Sequence, residues 1–220
     1  MFEATPKYFP NLGWLETKLS ADVLNFLNEC IKDEKENWNT QLAGNIEKSY
    51  LIEDKNNWFF KNVLISCVKK YLEEFTDQSI PKILTKNCGY VLDKFWVNFQ
   101  KKYEFNPLHK HSGVFSFVVW MKIPSSFKEE CKLSFINGSN EKCPNTFQLL
   151  FINSVGNISS FNYNMEASDE GTMLFFPAML KHQVYPFYNS DEDRISISGN
   201  ISLSPDKIVK LEDNTNWVER

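Results

Sequence analysis

The chain has 220 residues, 42% of them hydrophobic and 15% aromatic, which suits one sizeable globular core and excludes a disordered polypeptide. Its formal net charge of −4 gives no electrostatic reason to expect nucleic-acid binding. The five cysteines are an odd count without a Cys-x-x-Cys pair, so we expect reduced thiols in an intracellular protein. Because no secretory signal or bilayer-length apolar run is evident, we expect a soluble, cytoplasmic protein without membrane contact.

The first third of the chain predicts helices. Residues 1–19 read as an irregular lead-in, and Ser20 is a candidate N-cap for an amphipathic helix over about residues 21–36. Residues 41–46 resemble a turn with a short extended piece. Asn57 is a candidate N-cap for a second helix that reaches about residue 76, with a wide apolar stripe. A helix pair of this kind usually packs against a sheet.

After Pro81, alternating patterns separated by turn residues predict strands. The predicted strands are the alternating segment before the histidines and the apolar runs 114–123, 133–136, 147–152, 158–163, 173–176 and 195–203. Residues 153–157 are predicted to form the hairpin connection between two of these strands. Many short strands without interposed helices favour a sandwich or barrel over a parallel α/β sheet. We therefore predict a mainly β, single domain over residues 1–220, with a helical part at 1–80 and a β core at 90–203. The polar segment 125–144 is a candidate lid or substrate-contacting loop.

Two of the three histidines, His109 and His111, lie two positions apart. In an extended strand this spacing points both imidazoles to one face. The third, His182, lies in the apolar stretch 173–185, from which a second strand could bring it to the same place. Three neutral imidazoles suit Fe(II), Zn(II), Cu(II) or Ni(II), so we predict a metal site. The alternative is two polar residues at a strand edge and one satisfied core histidine.

The run that begins at Arg194 has one apolar and one polar face. A polar inner face in a barrel is costly unless something polar lies inside. Arg194, with Ser196 beside it, could hold a carboxylate through charge-assisted hydrogen bonds, unless it is simply an exposed arginine at a strand start. On the strand before the histidines, one face carries Trp96, Asn98 and Gln100, which could line a pocket. Trp120, in the next strand, is a weaker candidate for the same role.

The residues in three ordered blocks carry a family resemblance. His109-x-His111, the block 171–186 with His182, and the block 194–200 closely resemble the 2-oxoglutarate- and Fe(II)-dependent oxygenases of phages and bacteria, in the prolyl-hydroxylase-like branch. The resemblance covers about residues 90–203. It implies a double-stranded β-helix (a jelly-roll barrel) preceded by helices, and host cytoplasm as the location if a phage encodes the chain.

The resemblance also implies the cofactors and their ligands. His109 and His182 would bind Fe(II), Arg194 would anchor the distal carboxylate of 2-oxoglutarate, and Ser196 would assist. Asn98 is a further candidate for binding the cosubstrate because of its place on the strand face before the histidines. Enzymes of this kind use O2 to decarboxylate 2-oxoglutarate to succinate and CO2 while they oxidise a substrate C–H bond, usually by hydroxylation.

One position departs from the family pattern. The superfamily usually has Asp or Glu two residues after the first histidine, and this chain has His111 there. We favour His111 as the third ligand, and the alternative is that Asp169 or Glu170 completes the site.

Two rival functions stay open at this point. One is a three-histidine cupin-type dioxygenase that needs no oxo acid, and the other is a non-catalytic metal-binding barrel. The substrate, whether a peptide or protein side chain or a small molecule, is not identified by the sequence, and neither is the oligomeric state.

Overall fold

The computed structural model describes residues 13–33, 36–75 and 88–208. In chain order the elements are β1 (Leu15–Lys18), α1 (Ala21–Lys32), β2 (Lys48–Leu51), α2 (Ile65–Phe75), β3 (Cys88–Gln100), β4 (Asn106–His109), β5 (Phe115–Lys122), α3 (Phe127–Glu130), α4 (Ser134–Asn137), β6 (Thr146–Ile152), β7 (Ile158–Asn164), β8 (Thr172–Pro177), β9 (Lys181–Val184) and β10 (Arg194–Ile208). A π-helical turn, Phe60–Leu64, leads into α2, and single 3₁₀ turns lie at Asn39–Gln41, Lys55–Asn57 and Ala167–Asp169.

The strands form two antiparallel sheets with jelly-roll connectivity. The large sheet has the order β1-β8-β5-β10-β3-β2, and the small sheet has the order β4-β9-β6-β7. From β3 onward the chain alternates between the sheets, except at the β6–β7 hairpin, which stays in the small sheet. This arrangement is the double-stranded β-helix, so the predicted mainly β fold with N-terminal helices is confirmed.

The large sheet is buried on both faces, which explains the nearly unbroken apolar sequence of β5. Phe117 and Val119 face the helices, where they join a core with Leu27 of α1 and Val68 of α2. The alternate residues of β5 face the small sheet and join a second core that includes Val118, Trp120, Phe147, Leu149, Leu174 and Phe176. The helices therefore pack against the sheet as predicted.

Several sequence predictions differ from the structure in their details. The second helix is not capped by Asn57, because Asn57 has a φ of 53° and ends a 3₁₀ turn. Asp54 does the capping instead, and its carboxylate accepts the backbone N–H groups of Phe59 and Phe60, each at 2.8 Å.

The run 133–136 was predicted as extended, but Ser134–Asn137 is a helical turn, so short helices do interrupt the strand succession. The hairpin at residues 153–157 is confirmed by two backbone hydrogen bonds, Asn153 N–H to Asn157 O and Gly156 N–H to Asn153 O, both at 2.9 Å. Residues 1–12, 34–35 and 76 of the predicted lead-in and helices lie outside the described residues. The described cysteines are all free thiols, and no helix in the described part of the chain has the length and apolarity needed to cross a membrane.

Candidate metal and cosubstrate site

The three histidines converge at one end of the space between the sheets. His109 ends β4 and pairs in register with His182 of β9, so neighbouring strands of the small sheet present both rings. His111 lies beyond the end of β4, in the turn that leads to β5. The predicted reason for its position, a shared strand face, is therefore wrong. The turn nevertheless brings its Nε2 to 3.2 Å from the Nε2 atoms of both His109 and His182.

Each imidazole is held by its other nitrogen. His109 Nδ1 lies 2.7 Å from the carbonyl oxygen of Pro107, and His182 Nδ1 lies 2.9 Å from that of Leu180. His111 Nδ1 lies 2.9 Å from Asn200 Oδ1 and 2.8 Å from Ser116 Oγ. Because a carbonyl oxygen only accepts, each Nδ1 carries the hydrogen and each Nε2 presents a lone pair to the common centre.

Three converging lone pairs call for a cation. At metal–nitrogen distances of about 2.0–2.1 Å, two ligands that subtend roughly 90–110° are about 2.8–3.4 Å apart. The observed Nε2 separations of 3.2 Å match this geometry. The ligand atoms of all three histidines lie within 4.8 Å of one another, and no carboxylate of the described residues joins the group.

Burial keeps the imidazoles neutral. Loss of hydration lowers the pKa of His109, lowers that of His111 to about 4, and lowers that of His182 well below its ordinary value. Neutral imidazole is the form that binds a metal ion, so the cluster can do so at neutral pH without first releasing protons.

The carboxylates that could have replaced His111 are engaged elsewhere. Glu170 accepts the backbone N–H of Ile123 at 2.8 Å, and Asp169 accepts that of Glu166 at 2.9 Å. Neither belongs to the histidine group, so the structure gives no support to either as a ligand.

Arg194 lies in the same cavity and is only 2% exposed. Its guanidinium donates to Asn145 Oδ1 at 2.8 Å, to the carbonyl oxygen of Tyr185 at 2.9 Å and to Gln100 Oε1 at 3.3 Å. These acceptors are neutral, and burial lowers the arginine pKa to about 9, with some compensation from the charge of Glu130. The group still carries its charge at neutral pH, and a buried cation without a bonded anion favours an anionic ligand.

The cavity that joins the histidines to Arg194 has a volume of about 380 Å³. Its lining includes all the residues predicted from the sequence to form the pocket or to assist Arg194, namely Trp96, Asn98, Gln100, Trp120 and Ser196. Asn98 accepts a hydrogen bond from Ser49 Oγ at 2.8 Å, and Trp96 lies 5.5 Å from the His111 ring. The predicted polar face of β10 thus lines the cavity, while Ile195, Ile197 and Ile201 pack toward the helices.

Sequence reasoning missed several residues that line the cavity or support it from behind. Asn145, which orients Arg194, has a φ of 50° and follows a proline in a loop, and no pattern in the sequence indicates its contact. Lys94 continues the alternation of Trp96, Asn98 and Gln100 by one step and could have been found. The wall formed by Trp38 and Gln41 to Gly44 overlaps the segment 41–46, whose sequence predicts a turn with a short extended piece, and Trp38 precedes that segment.

With this geometry established, the chain can be compared with known proteins. Residues 94–200 match the family model described as "Putative 2OG-Fe(II) oxygenase", where 2OG denotes 2-oxoglutarate. This match confirms the resemblance noted in the sequence, and it covers β3 to β10 up to Asn200. The comparison with curated proteins gave no match.

Two solved structures illustrate the likeness. A prolyl-4-hydroxylase of Pseudomonas putida is 12% identical, with 86% of this chain and 91% of that chain covered and a TM-score of 0.48. An oxidoreductase of the 2OG-Fe(II) oxygenase family from Burkholderia pseudomallei is 11% identical, with coverages of 83% and 78% and a TM-score of 0.45.

Proposed function

We propose that this protein is an Fe(II)- and 2-oxoglutarate-dependent dioxygenase that hydroxylates or otherwise oxidises a substrate C–H bond. The observation that carries the proposal is a single cavity with three converging imidazole lone pairs and a buried arginine that is bonded only to neutral groups. A divalent ion satisfies the first feature and a dicarboxylate satisfies the second. The family match over the same residues supports both assignments.

The chain's own residues would divide the work. His109, His111 and His182 would hold the iron, with Asn200 and Ser116 fixing the orientation of His111. Arg194, held in place by Asn145, would receive the distal carboxylate of 2-oxoglutarate, assisted by Ser196 and Asn98. The rings of Phe147 and Phe176 pack 5.5 and 5.1 Å from the His182 ring and would exclude water from that side of the metal.

The bound iron would supply activation of O2. In the balanced reaction, 2-oxoglutarate, O2 and a substrate C–H give succinate, CO2 and a substrate C–OH. The complex of iron, its three protein ligands and the dianionic cosubstrate would be formally neutral here, because all three ligands are neutral imidazoles. With two histidines and a carboxylate, the same complex would carry one negative charge.

The direct test is an anaerobic Fe(II) titration with and without 2-oxoglutarate, monitored by the metal-to-ligand charge-transfer absorption. We expect the band to appear only when both are present. An iron-loaded protein that shows no band with 2-oxoglutarate would rule out the oxo-acid function.

The same band tests Arg194. Arg194→Gln should raise the 2-oxoglutarate Kd at least tenfold because it removes a charge-assisted, two-pronged contact, and it should leave the Fe(II) Kd within about twofold. Lys128→Gln, an exposed lysine outside the cavity, is the control and should change neither constant.

One rival draws support from a specific observation, the all-histidine ligand set. A three-histidine dioxygenase that binds its substrate directly on iron would consume O2 without 2-oxoglutarate and release no succinate. In that case the Arg194→Gln variant would show unaltered metal chemistry and no 2-oxoglutarate dependence to lose.

A further inference from the structure

We propose that the substrate carries an anionic group, a carboxylate or a phosphate, that Lys94 and Lys110 bind on the side of the metal site away from Arg194. This inference rests on the proposed oxygenase function and adds to it the chemical class of the substrate.

The first argument is the charge of the cavity. Its lining includes Lys94, Lys110 and Arg194 but no aspartate or glutamate, although the whole chain has 28 acidic residues against 24 lysines and arginines. A divalent iron and a 2-oxoglutarate dianion would cancel one another. The three side-chain charges would then remain, so the cavity would still attract an anion after the cosubstrate had bound.

The second argument is the order of groups along β3 and β10. Gln100 pairs with Arg194 at one end, and Lys94 pairs with Asn200 at the other. Asn200 is bonded to His111, so the metal ligands lie toward the Lys94 end. Gln100 and Lys94 are six residue steps apart, about 20 Å of extended chain. The backbone positions of Arg194 and Lys94 therefore lie at opposite ends of the cavity, and we assign Lys94 to a ligand other than the dicarboxylate held at Arg194.

The third argument is that the two ammonium groups are available. Within the described residues neither Lys94 nor Lys110 forms an ion pair. By contrast, three lysines at the opposite end of these strands, near Gln100 and Arg194, are paired with carboxylates: Lys101 with Glu47, Lys102 with Asp191 and Lys122 with Glu192.

The Lys94 side chain is held in place by an aromatic ring, although no carboxylate of the described residues pairs with it. Its Nζ lies 5.3 Å from the centroid of the Trp38 ring, a contact that holds the ammonium without neutralising it. Lys110 is exposed and lies between two of the metal-site histidines in sequence, so it stands at the cavity entrance. An anionic group between the two lysines would place the rest of the substrate beside Trp96 and the histidines.

The test uses simple probes on the full chain loaded with Zn(II), which permits no oxidation, and with 2-oxoglutarate. Binding of benzoate, phenyl phosphate and neutral benzyl alcohol is measured by calorimetry. We expect one or both anions to bind at least tenfold more tightly than benzyl alcohol, and the preferred anion distinguishes a carboxylate site from a phosphate site. The Lys94→Gln/Lys110→Gln double variant should lose that advantage.

Two controls separate charge from structural damage. The Lys94→Arg/Lys110→Arg variant keeps both charges and should keep anion affinity within about threefold. The Lys128→Gln/Lys142→Gln variant removes two exposed lysines outside the cavity and should bind as the wild type does. Equal affinity for anionic and neutral probes, absence of anion binding at millimolar concentration, an unaffected glutamine double variant, or displacement of 2-oxoglutarate by the anion would each overturn the proposal.

The outcome is separable from that of the oxygenase proposal. The Fe(II)/2-oxoglutarate charge-transfer band should persist in the glutamine double variant, because the lysines do not hold the cosubstrate. Lysine-dependent anion binding in a protein without the band would overturn the oxygenase function alone. A normal band with no anion preference would overturn the substrate class alone.

Discussion

At the scale of single residues, β10 assigns different tasks to side chains on one strand face. Asn200 contacts His111, whereas Ser196 lies two positions from Arg194 on the same face. The strand therefore runs from the histidine end of the cavity to the Arg194 end. Substitution of residues that hold a metal ligand by hydrogen bonds typically costs about 10–100-fold in metal affinity.

This arrangement predicts that substitutions at Asn200 and Ser196 weaken the binding of different ligands. Asn200→Ala should weaken Fe(II) binding roughly tenfold because His111 loses an acceptor that fixes its ring, with little change in 2-oxoglutarate affinity at saturating iron. Ser196→Ala should weaken 2-oxoglutarate binding severalfold, a loss of about 1 kcal/mol, and leave Fe(II) affinity unchanged. Anaerobic titrations monitored by the charge-transfer band measure both constants. Identical effects of the two substitutions would contradict the division of roles.

At the scale of elements, the helix that supports the large sheet depends on a cap that lies before a 3₁₀ turn. The Asp54 carboxylate accepts two backbone N–H groups at the start of the helix that have no partner within the helix itself. The helical segment that follows buries Phe60, Leu64, Val68 and Tyr71 against the sheet. The cap is therefore linked to the packing behind the cavity.

Asp54→Ala should lower the free energy of unfolding by about 1–2 kcal/mol, as measured by urea denaturation of the metal-free protein. Glu73→Ala, an exposed position on α2, should change it by less than about 0.5 kcal/mol. If the two variants had equal stability, the capping role would be refuted.

Element boundaries also show how far the sequence could predict the structure. Alternation in residues 195–203 predicted both the strand and the cavity-facing side of β10, because burial on one face and polar function on the other leave a period of two. The cap at Asp54 could not be found by spacing, since Asn56 and Asn57 take positive φ values and insert a turn before the helix. His111 reached the site through a turn and not through strand geometry, and Asn145 reached Arg194 through a loop contact far away in the chain.

At the scale of the whole molecule, the candidate metal site links the two sheets. His109 and His182 belong to strands of the small sheet, and His111 is bonded to Asn200 of the large sheet. A metal ion bound to all three imidazoles would join the sheets at the end where the cavity separates them. Metal binding should therefore be visible as global stabilisation.

Fe(II) or Zn(II) at about 100 times its Kd should add ~2.7 kcal/mol, which corresponds to a Tm increase of roughly 5–10 °C for a domain of this size. Anaerobic thermal unfolding with and without a chelator measures the difference. A His182→Ala variant should show no metal-dependent increase, and a wild-type Tm that is insensitive to metal would contradict the site.

The metal-free protein should lose stability as the pH falls. Burial lowers the histidine pKa values in the folded state, to about 4 for His111, while the unfolded chain keeps values near 6.5. Below that ordinary value the unfolded state binds more protons, so the unfolding free energy decreases as the pH drops from about 6.5 toward 4. Urea titrations of the chelator-treated protein across this range measure the slope, and a His111→Gln variant should reduce it.

The wall from Trp38 to Gly44 bears on how substrate choice could vary under the proposed function. All the residues proposed to hold iron and 2-oxoglutarate lie within the family-matched segment 94–200, whereas this wall lies outside it and supplies the tryptophan beneath Lys94. Under the proposed function, substrate choice could change through the segment that contains this wall while the proposed iron and 2-oxoglutarate ligands stay the same. Grafting this segment onto a protein of the matched family would then transfer substrate selectivity without changing the residues proposed to hold iron.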